Sequence, residues 1–298
     1  MSTAAVVSPA EVAAAAQMAC LLEVSAPKPG NVSPGRHFGD LRFEDFLASA
    51  VAIGEPLAGA GTRGLGATVR LAVEATARWT RSNTNLGIIL LLTPLARAAM
   101  MTPGPSDDSA GEDLRSRVRR VLEATTVDDA RDVYVAIRRA TPGGMGVVQS
   151  QDLSAEPTET LLDVMRLAVT RDTVAGEYAT GFEVTFGVAV PALERARGDG
   201  LPWDDAVVET FLTVLASIPD THISRRSGAA LAAQVSARAR SALAAGGVRS
   251  AAGRVTIDEM DAALRDARNS GNPGTTADLT AAAIFVTLIA GGWESRSA

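Results

Sequence analysis

Apolar residues along this chain recur at three- and four-residue intervals, the spacing of one helix face, and the strict alternation of a half-buried strand is scarce. Ser8-Pro9-Ala10-Glu11 joins a capping box to a proline at the first helical position, which predicts a helix reaching about Val24. Pro27, Pro29 and Gly30 stop it and open a polar loop to about Leu41. Phe43, Phe46, Leu47, Ala50 and Val51 then fall at helical spacing, and a further helix is expected over Thr68–Thr80. Asn83-Thr84-Asn85 can cap a very apolar helix that starts at Leu86.

Met101–Gly111, rich in Pro, Gly, Ser and Asp, reads as an exposed connection, and Thr141–Pro157 as a second irregular stretch. Helices are predicted over Glu112–Ala124 and Val127–Ala140 on either side of a short break. Beyond the irregular stretch the pattern predicts one long helix, Thr158–Ala179, then Val184–Arg195, Trp203–Ala216 and Gly228–Leu243. Thr256-Ile257-Asp258-Glu259 reads as a second capping box, opening a helix to about Arg268, and Thr276–Ala290 closes the chain. No internal repeat or sustained heptad interrupts this series, so the expected fold class is all-α, a single compact multi-helix domain over residues 1–298.

Composition agrees. Hydrophobic residues make up 47% of the chain but aromatics only 4%, so Ala, Leu and Val must build the core. The most apolar segments, Leu86–Ala96 and Ala281–Ala290, are shorter than the roughly 20 residues of a membrane span and read as buried helices. The N-terminus lacks the basic start of a signal peptide, and a cytoplasmic protein without membrane contact is expected. A net charge of -6 argues against non-specific nucleic-acid binding, and Arg115, Arg117, Arg119 and Arg120 read as a solvated helix face. Cys20 is the only cysteine; it excludes an intrachain disulfide and reads as a core thiol among Met18, Leu21 and Leu22.

Five polar segments join Gly, Asn or Pro to charged groups at expected helix ends. They are Lys28-Pro29-Gly30-Asn31, Asn83-Thr84-Asn85-Leu86-Gly87, Arg171-Asp172, Asp220-Thr221-His222 with Arg225-Arg226, and Asn272-Pro273-Gly274-Thr275-Thr276-Ala277-Asp278. Helix N-termini preceded by small residues present free N–H groups and partial positive charge, which suits phosphate. Lys28 is the only lysine among 28 basic residues. Either an arginine-biased chain kept it by chance, or a compact ammonium does there what a guanidinium would not, such as reaching a phosphate oxygen. His37 and His222 are more readily hydrogen-bonded structural residues than metal ligands. Asp40, Asp172, Glu177, Asp220 and Asp278 are oxygen donors of the kind magnesium takes when shared with substrate phosphates. For Asp278 a purely structural reading competes, since an acid in a first helical turn is stabilising anyway. Asp172 could equally pair with Arg171 or Arg166.

In order, Pro27-Lys28-Pro29-Gly30-Asn31-Val32, His37 and Asp40, Phe46 with Ser49-Ala50, Asn83-Thr84-Asn85-Leu86-Gly87, Arg171-Asp172 with Tyr178 and Gly181-Phe182, Asp220-Thr221 and Pro273-Gly274-Thr275-Thr276-Ala277-Asp278-Leu279 make a longer pattern. Along nearly its whole length the chain thereby resembles the triphosphoribosyl-dephospho-CoA synthase family. The resemblance implies an all-helical enzyme that takes ATP and 3′-dephospho-CoA, moves the 5-triphosphoribosyl group to an acceptor hydroxyl and releases adenine. In such proteins the product is the precursor of the prosthetic group of citrate or malonate decarboxylase. It implies phosphate or nucleotide contacts from Lys28, Gly30, Asn31, Asn83, Asn85, Gly87, Arg171, Arg225, Arg226, Gly274, Thr275 and Thr276. Catalytic roles would fall to Asp172, Asp220 and Lys28, and magnesium to Asp40, Asp172, Asp220 and Asp278. The stretches around Asn85-Leu86-Gly87 and Asn272–Thr276 depart from the family's usual wording toward a branch associated with pterin-linked one-carbon metabolism, which leaves the acceptor open. The partners expected are small molecules, with a homodimer as a further expectation. Two other readings stay open: an N-glycosidic hydrolase that hands the group to water, and a nucleotide-binding protein without turnover.

Overall fold

The computed structural model describes residues 7–39, 41–101, 113–143, 150–266 and 268–294. Asp40, residues 102–111 of the first connection and residues 144–149 of the second lie outside them. Fifteen α-helices follow in chain order: α1 (Pro9–Ser25), α2 (Phe43–Ala52), α3 (Gly54–Ala58), α4 (Leu65–Thr76), α5 (Leu86–Ala99), α6 (Leu114–Glu123), α7 (Val127–Ala140), α8 (Leu161–Ala168), α9 (Thr173–Thr180), α10 (Val190–Gly198), α11 (Trp203–Ser217), α12 (Thr221–Ser227), α13 (Ala229–Ala244), α14 (Ala251–Leu264) and α15 (Gly274–Ile289). No strand forms among the described residues; the only extended pairing is a bridge between Ser33 and Arg36.

Two helices are apolar nearly all round and form the centre. In α5 only Gly87 and Arg97 are not buried, and α15 buries Leu279 through Thr287. α15 packs against both α1 and α5. α1 meets it through Val12, Ala15, Ala16, Ala19 and Glu23, small residues apart from the last, which lets the two helices approach closely. The capping box at the start of α1 forms as expected: the Ser8 hydroxyl oxygen accepts from the Glu11 N–H, and Glu11 accepts from the Ser8 N–H.

The expected helix Thr158–Ala179 is two helices. The chain breaks after α8, and Asp172 N-caps α9 by accepting the Val174 N–H at 2.8 Å. An aspartate that can bond the backbone two residues on competes with helix continuation, and here it wins. Thr256 proves to be internal to α14, where its hydroxyl donates to the Ala252 carbonyl; Ser250 is the true cap, its hydroxyl oxygen accepting from the Gly253 N–H. Helices α3 and α12 were not expected as separate elements.

Glu177, an acid with no solvent contact, is used for structure. Its carboxylate accepts the N–H groups of Val184 and Thr185, both at 2.8 Å, and so opens the π-helical turn Thr185–Ala189 that leads into α10. Tyr178 on the same helix donates its hydroxyl to the Leu90 carbonyl at 2.7 Å, tying α9 to the middle of α5.

Candidate active site

α5, α7, α8, α9, α12 and α15 enclose a cleft of about 210 Å³. Leu90 of α5, Val133 and Ile137 of α7, and Leu161, Val164 and Met165 of α8 supply apolar walls, and Ser150, Gln151 and Asp152 also line it. The polar end gathers Asn83, Gly87, Arg171, Asp172, His222, Arg225, Thr275 and Asp278. Most of these polar groups stand at or near the starts of α5, α9, α12 and α15, while Arg225 comes from the last turn of α12 and Asp278 from one turn into α15. Seven of the residues expected at the site from sequence therefore do share one cavity, and His222 joins them.

At the polar end Asp172 does two things. One oxygen caps α9 and the other accepts from Arg225 at 2.6 Å, a largely buried ion pair that fixes the guanidinium across the cleft floor. The Arg225 Nε is buried with no partner among the described residues, so this guanidinium still has a donor to satisfy. Thr221 links the neighbouring starts, its hydroxyl 3.3 Å from that of Thr173 and 3.2 Å from that of Thr275. His222 lies 3.3 Å from Arg226 through Nε2. Burial, then the charges of Arg225 and Arg226, push it down to about 4, so the ring is neutral near pH 7.

Asp278 differs from the other acids. Its carboxylate lies against the backbone of Gly87: a Cβ there would be 2.0 Å from Oδ2 and 2.5 Å from Cγ. Burial raises its pKa well above the carboxylate range, and Glu23, Asp220 and Asp172 raise it further against the opposing charge of Arg225. Asp220, by contrast, is saturated. One oxygen caps α12 from the Ile223 N–H at 3.0 Å, and the other takes the N–H and hydroxyl of Thr276 at 2.7 and 2.8 Å.

Several expected site residues stand behind the cleft rather than on its wall. Lys28 is wholly buried; its ammonium is 3.0 Å from a Glu23 carboxylate oxygen and also donates to the carbonyls of Glu23 and Ala26. Three acceptors use its three protons, and reaching a phosphate would mean breaking the pair. Gly30 donates its N–H to Asp261 at 2.8 Å at a φ of +74°, with Leu264 too close to admit a side chain. The Asn31 carbonyl accepts from Arg265, which also binds Asp261, so this loop is a clasp onto α14. Asn85 donates to the Ser49 carbonyl and the Thr76 hydroxyl, Thr276 is held by Asp220, and Gly274 packs on the His222 ring. Arg226 reaches the Arg268 carbonyl. His37 accepts from the Phe43 N–H.

Sequence reasoning missed Glu23, although a signal exists. It falls on the Val12, Ala16, Ala19 stripe that α1 buries, and an acid on an apolar stripe needs a buried cation, which the lone lysine five residues on supplies. The apolar walls from α7 and α8 gave no such signal, since their residues read as ordinary core.

Of the four acids expected at magnesium, Asp40 lies outside the described residues. Asp172 and Asp220 commit both oxygens to helix caps, Arg225 and Thr276, and no group of three or more His, Cys, Asp or Glu among the described residues is arranged to hold an ion. Among the described residues no helix is long and apolar enough to cross a membrane.

Comparison with known proteins agrees with this architecture. The crystal structure of an Archaeoglobus fulgidus protein named for triphosphoribosyl-dephospho-CoA synthase superposes with a TM-score of 0.63 at 27% identity, covering 84% of this chain and 99% of that one. The 2-(5''-triphosphoribosyl)-3'-dephosphocoenzyme-A synthase of Klebsiella pneumoniae is 33% identical over 115 residues, which is 39% of this chain and 40% of the relative. The chain thus matches well under half the length of that curated relative. The model of one family, described as ATP:dephospho-CoA triphosphoribosyl transferase, matches from residue 9 to residue 297, and the chain belongs to that family.

Proposed function

We propose that this chain transfers the 5-triphosphoribosyl group of ATP to an acceptor hydroxyl and releases adenine, with the chemistry at the polar end of the cleft. The observation that carries the reading is the polar cluster, in which the Asp172–Arg225 pair and the Thr221–Thr275 contact join the starts of α9, α12 and α15 on a cleft that also has apolar walls. A triphosphate needs fixed donors, and Arg225, held by Asp172, offers them beside Arg171 and the first turn of α15 at Thr275. Asn83, which already accepts from the Leu86 N–H through Oδ1, has its amide available to a sugar hydroxyl or the base.

Breaking the bond between ribose C1′ and adenine N9 builds positive charge on the sugar, and a carboxylate fixed nearby stabilises it. Asp172 fits that part because its orientation is locked by the cap and by Arg225. Asp220 acts at one remove, holding the first turn of α15 and so Thr275 in place. Magnesium enters as the counter-ion of the triphosphate, part of the substrate. The apolar walls receive an extended acceptor arm of the dephospho-CoA kind and exclude the water that would otherwise compete for the sugar; this favours transfer over hydrolysis.

The test is incubation of the purified protein with ATP and magnesium, with and without 3′-dephospho-CoA, and chromatography for free adenine. Adenine formed only with the acceptor supports the transferase reading. Adenine formed at the same rate without it makes the protein a hydrolase, and ATP binding with no adenine leaves a nucleotide-binding protein. Arg225→Ala should weaken ATP binding by at least tenfold, about 1.4 kcal/mol, on losing a charge-assisted contact.

A further inference from the structure

We propose that Asp278 is the general acid of this transfer, giving its proton to a ring nitrogen of the departing base, a role that rests on the transferase reading above. The residue lies one turn into α15, on the wall of the cleft beside Thr275. Unlike Asp172 and Asp220, it accepts no hydrogen bond among the described residues. It lies against the Gly87 backbone, where any side chain would overlap the carboxylate. A part-buried carboxylate with no donors is costly when ionised, whereas a neutral carboxyl there has a proton to give.

The groups around it act the same way. Glu23 on α1, Asp220 before α12 and Asp172 before α9 all disfavour a further negative charge, and Arg225 on α12 alone opposes them. Lys28 does not help, since its charge is spent on Glu23. Cys20 on α1 is held as the neutral thiol by burial, then by Glu23 and Asp278. On α5 the residue against the carboxyl is Gly87, which has no side chain to set beside it. Burial and these like charges keep Asp278 protonated well above the usual carboxylate range. Two acids in one cleft, one paired with an arginine and one ringed by acids, is the arrangement that separates an electrostatic stabiliser from a proton donor.

The C1′–N9 bond breaks and its electron pair stays on the base, which takes the Asp278 proton and leaves as neutral adenine. The acceptor hydroxyl oxygen forms the new bond to C1′ and loses its proton to solvent, and Asp278 regains one from solvent before the next turnover.

The experiment uses ATP with magnesium and 3′-dephospho-CoA on the wild type and on Asp278→Asn, which keeps the shape and removes the proton. Adenine release should fall by about 10²- to 10⁴-fold, while ATP affinity stays the same or improves. The loss should shrink for 8-azaadenosine triphosphate, whose base leaves more readily without protonation. The wild-type rate should decline on the alkaline side as Asp278 ionises, and the variant's residual rate should lack that limb. A merely structural residue would move neither the leaving-group dependence nor the limb. Wild-type adenine release with Asp278→Asn equally fast, or equally impaired on both nucleotides, overturns the role and leaves the transferase reading standing. No adenine from the wild type overturns both.

Discussion

Replacing Lys28 by methionine separates two jobs for the chain's only lysine. The side chain is wholly buried, and at 3.0 Å from Glu23 its Coulomb attraction is worth about 5 kcal/mol at an effective dielectric of ~20. Most of that offsets desolvation of the two groups, so the pair adds little net stability. Removing one partner is another matter. Lys28→Met strands the Glu23 carboxylate next to Asp278 and leaves the Glu23 and Ala26 carbonyls without their donor. Breaking a buried pair in this way costs about 3–5 kcal/mol. For a domain of this size that lowers the melting temperature by roughly 6–10 °C, at about 2 °C per kcal/mol. Scanning calorimetry or thermal circular dichroism reads it. Glu23→Leu with Lys28→Met should regain most of the loss, because an apolar pair of similar volume carries no stranded charge. Below its melting temperature the single variant should still bind ATP within about threefold of wild type, under 1 kcal/mol. Unchanged melting together with lost ATP binding would refute the structural role and return Lys28 to the phosphate.

Three further outcomes follow from the same geometry. His222 has its pKa depressed from 6.5 to about 4 in the folded protein, so the unfolded chain binds more protons between those values. The associated stability is complete above pH ~6.5 and is lost, by up to about 3 kcal/mol, as pH falls toward 4; urea midpoints across that range should slope accordingly in wild type and less in His222→Gln. Gly87→Ala gains up to about 1 kcal/mol of helix propensity yet places a methyl 2.0 Å from Asp278 Oδ2. Its carboxyl must then swing away, so adenine release should drop at least tenfold (about 1.4 kcal/mol) with melting nearly unchanged; a rate equal to wild type would show that the carboxyl's position is irrelevant. Asp220→Ala removes the cap of α12 and both bonds to Thr276, a loss of about 2–4 kcal/mol in denaturant unfolding, and an unchanged midpoint would remove Asp220 from the scaffold.

The fold was legible because its signals are local. The Ser8–Glu11 box, the apolar run from Leu86 and the boundaries Val127 and Ala140 each depend on residues within one or two turns. Errors arose where a single side chain had to choose between continuing a helix and capping the next, as at Asp172, or where a box-like sequence lay inside a helix, as at Thr256. The polar segments stand out in the sequence, but their depth does not. Lys28, Gly30 and Asn31 carry the same glycine-and-charge signature as Gly87 and Thr275, and only packing against Glu23 and α14 turns the first group inward. A pattern along one chain cannot report which of two helix ends looks into a cavity, because the cavity also needs walls from α7 and α8, far along the chain from Gly87 and Thr275.

The charges explain how a cleft edged with acids can still suit a polyphosphate. Glu23 is answered by Lys28 behind the wall, and Asp172 by Arg225 on the floor. Asp220 is buried among three donors. That leaves Asp278, which if ionised would face the incoming triphosphate with an uncompensated charge and no hydrogen bonds. Kept neutral, it removes that repulsion and holds a proton at the place where a departing base needs one. The acids that crowd it are therefore part of the site even though they touch no ligand. Glu23 bears on the substrate by keeping Asp278 protonated, and Lys28 bears on it by making a buried Glu23 tolerable. If Asp278 is that acid, the lone lysine serves the reaction through two intervening carboxyl groups, which accounts for a motif that looks like a phosphate loop in sequence and lies buried in the fold.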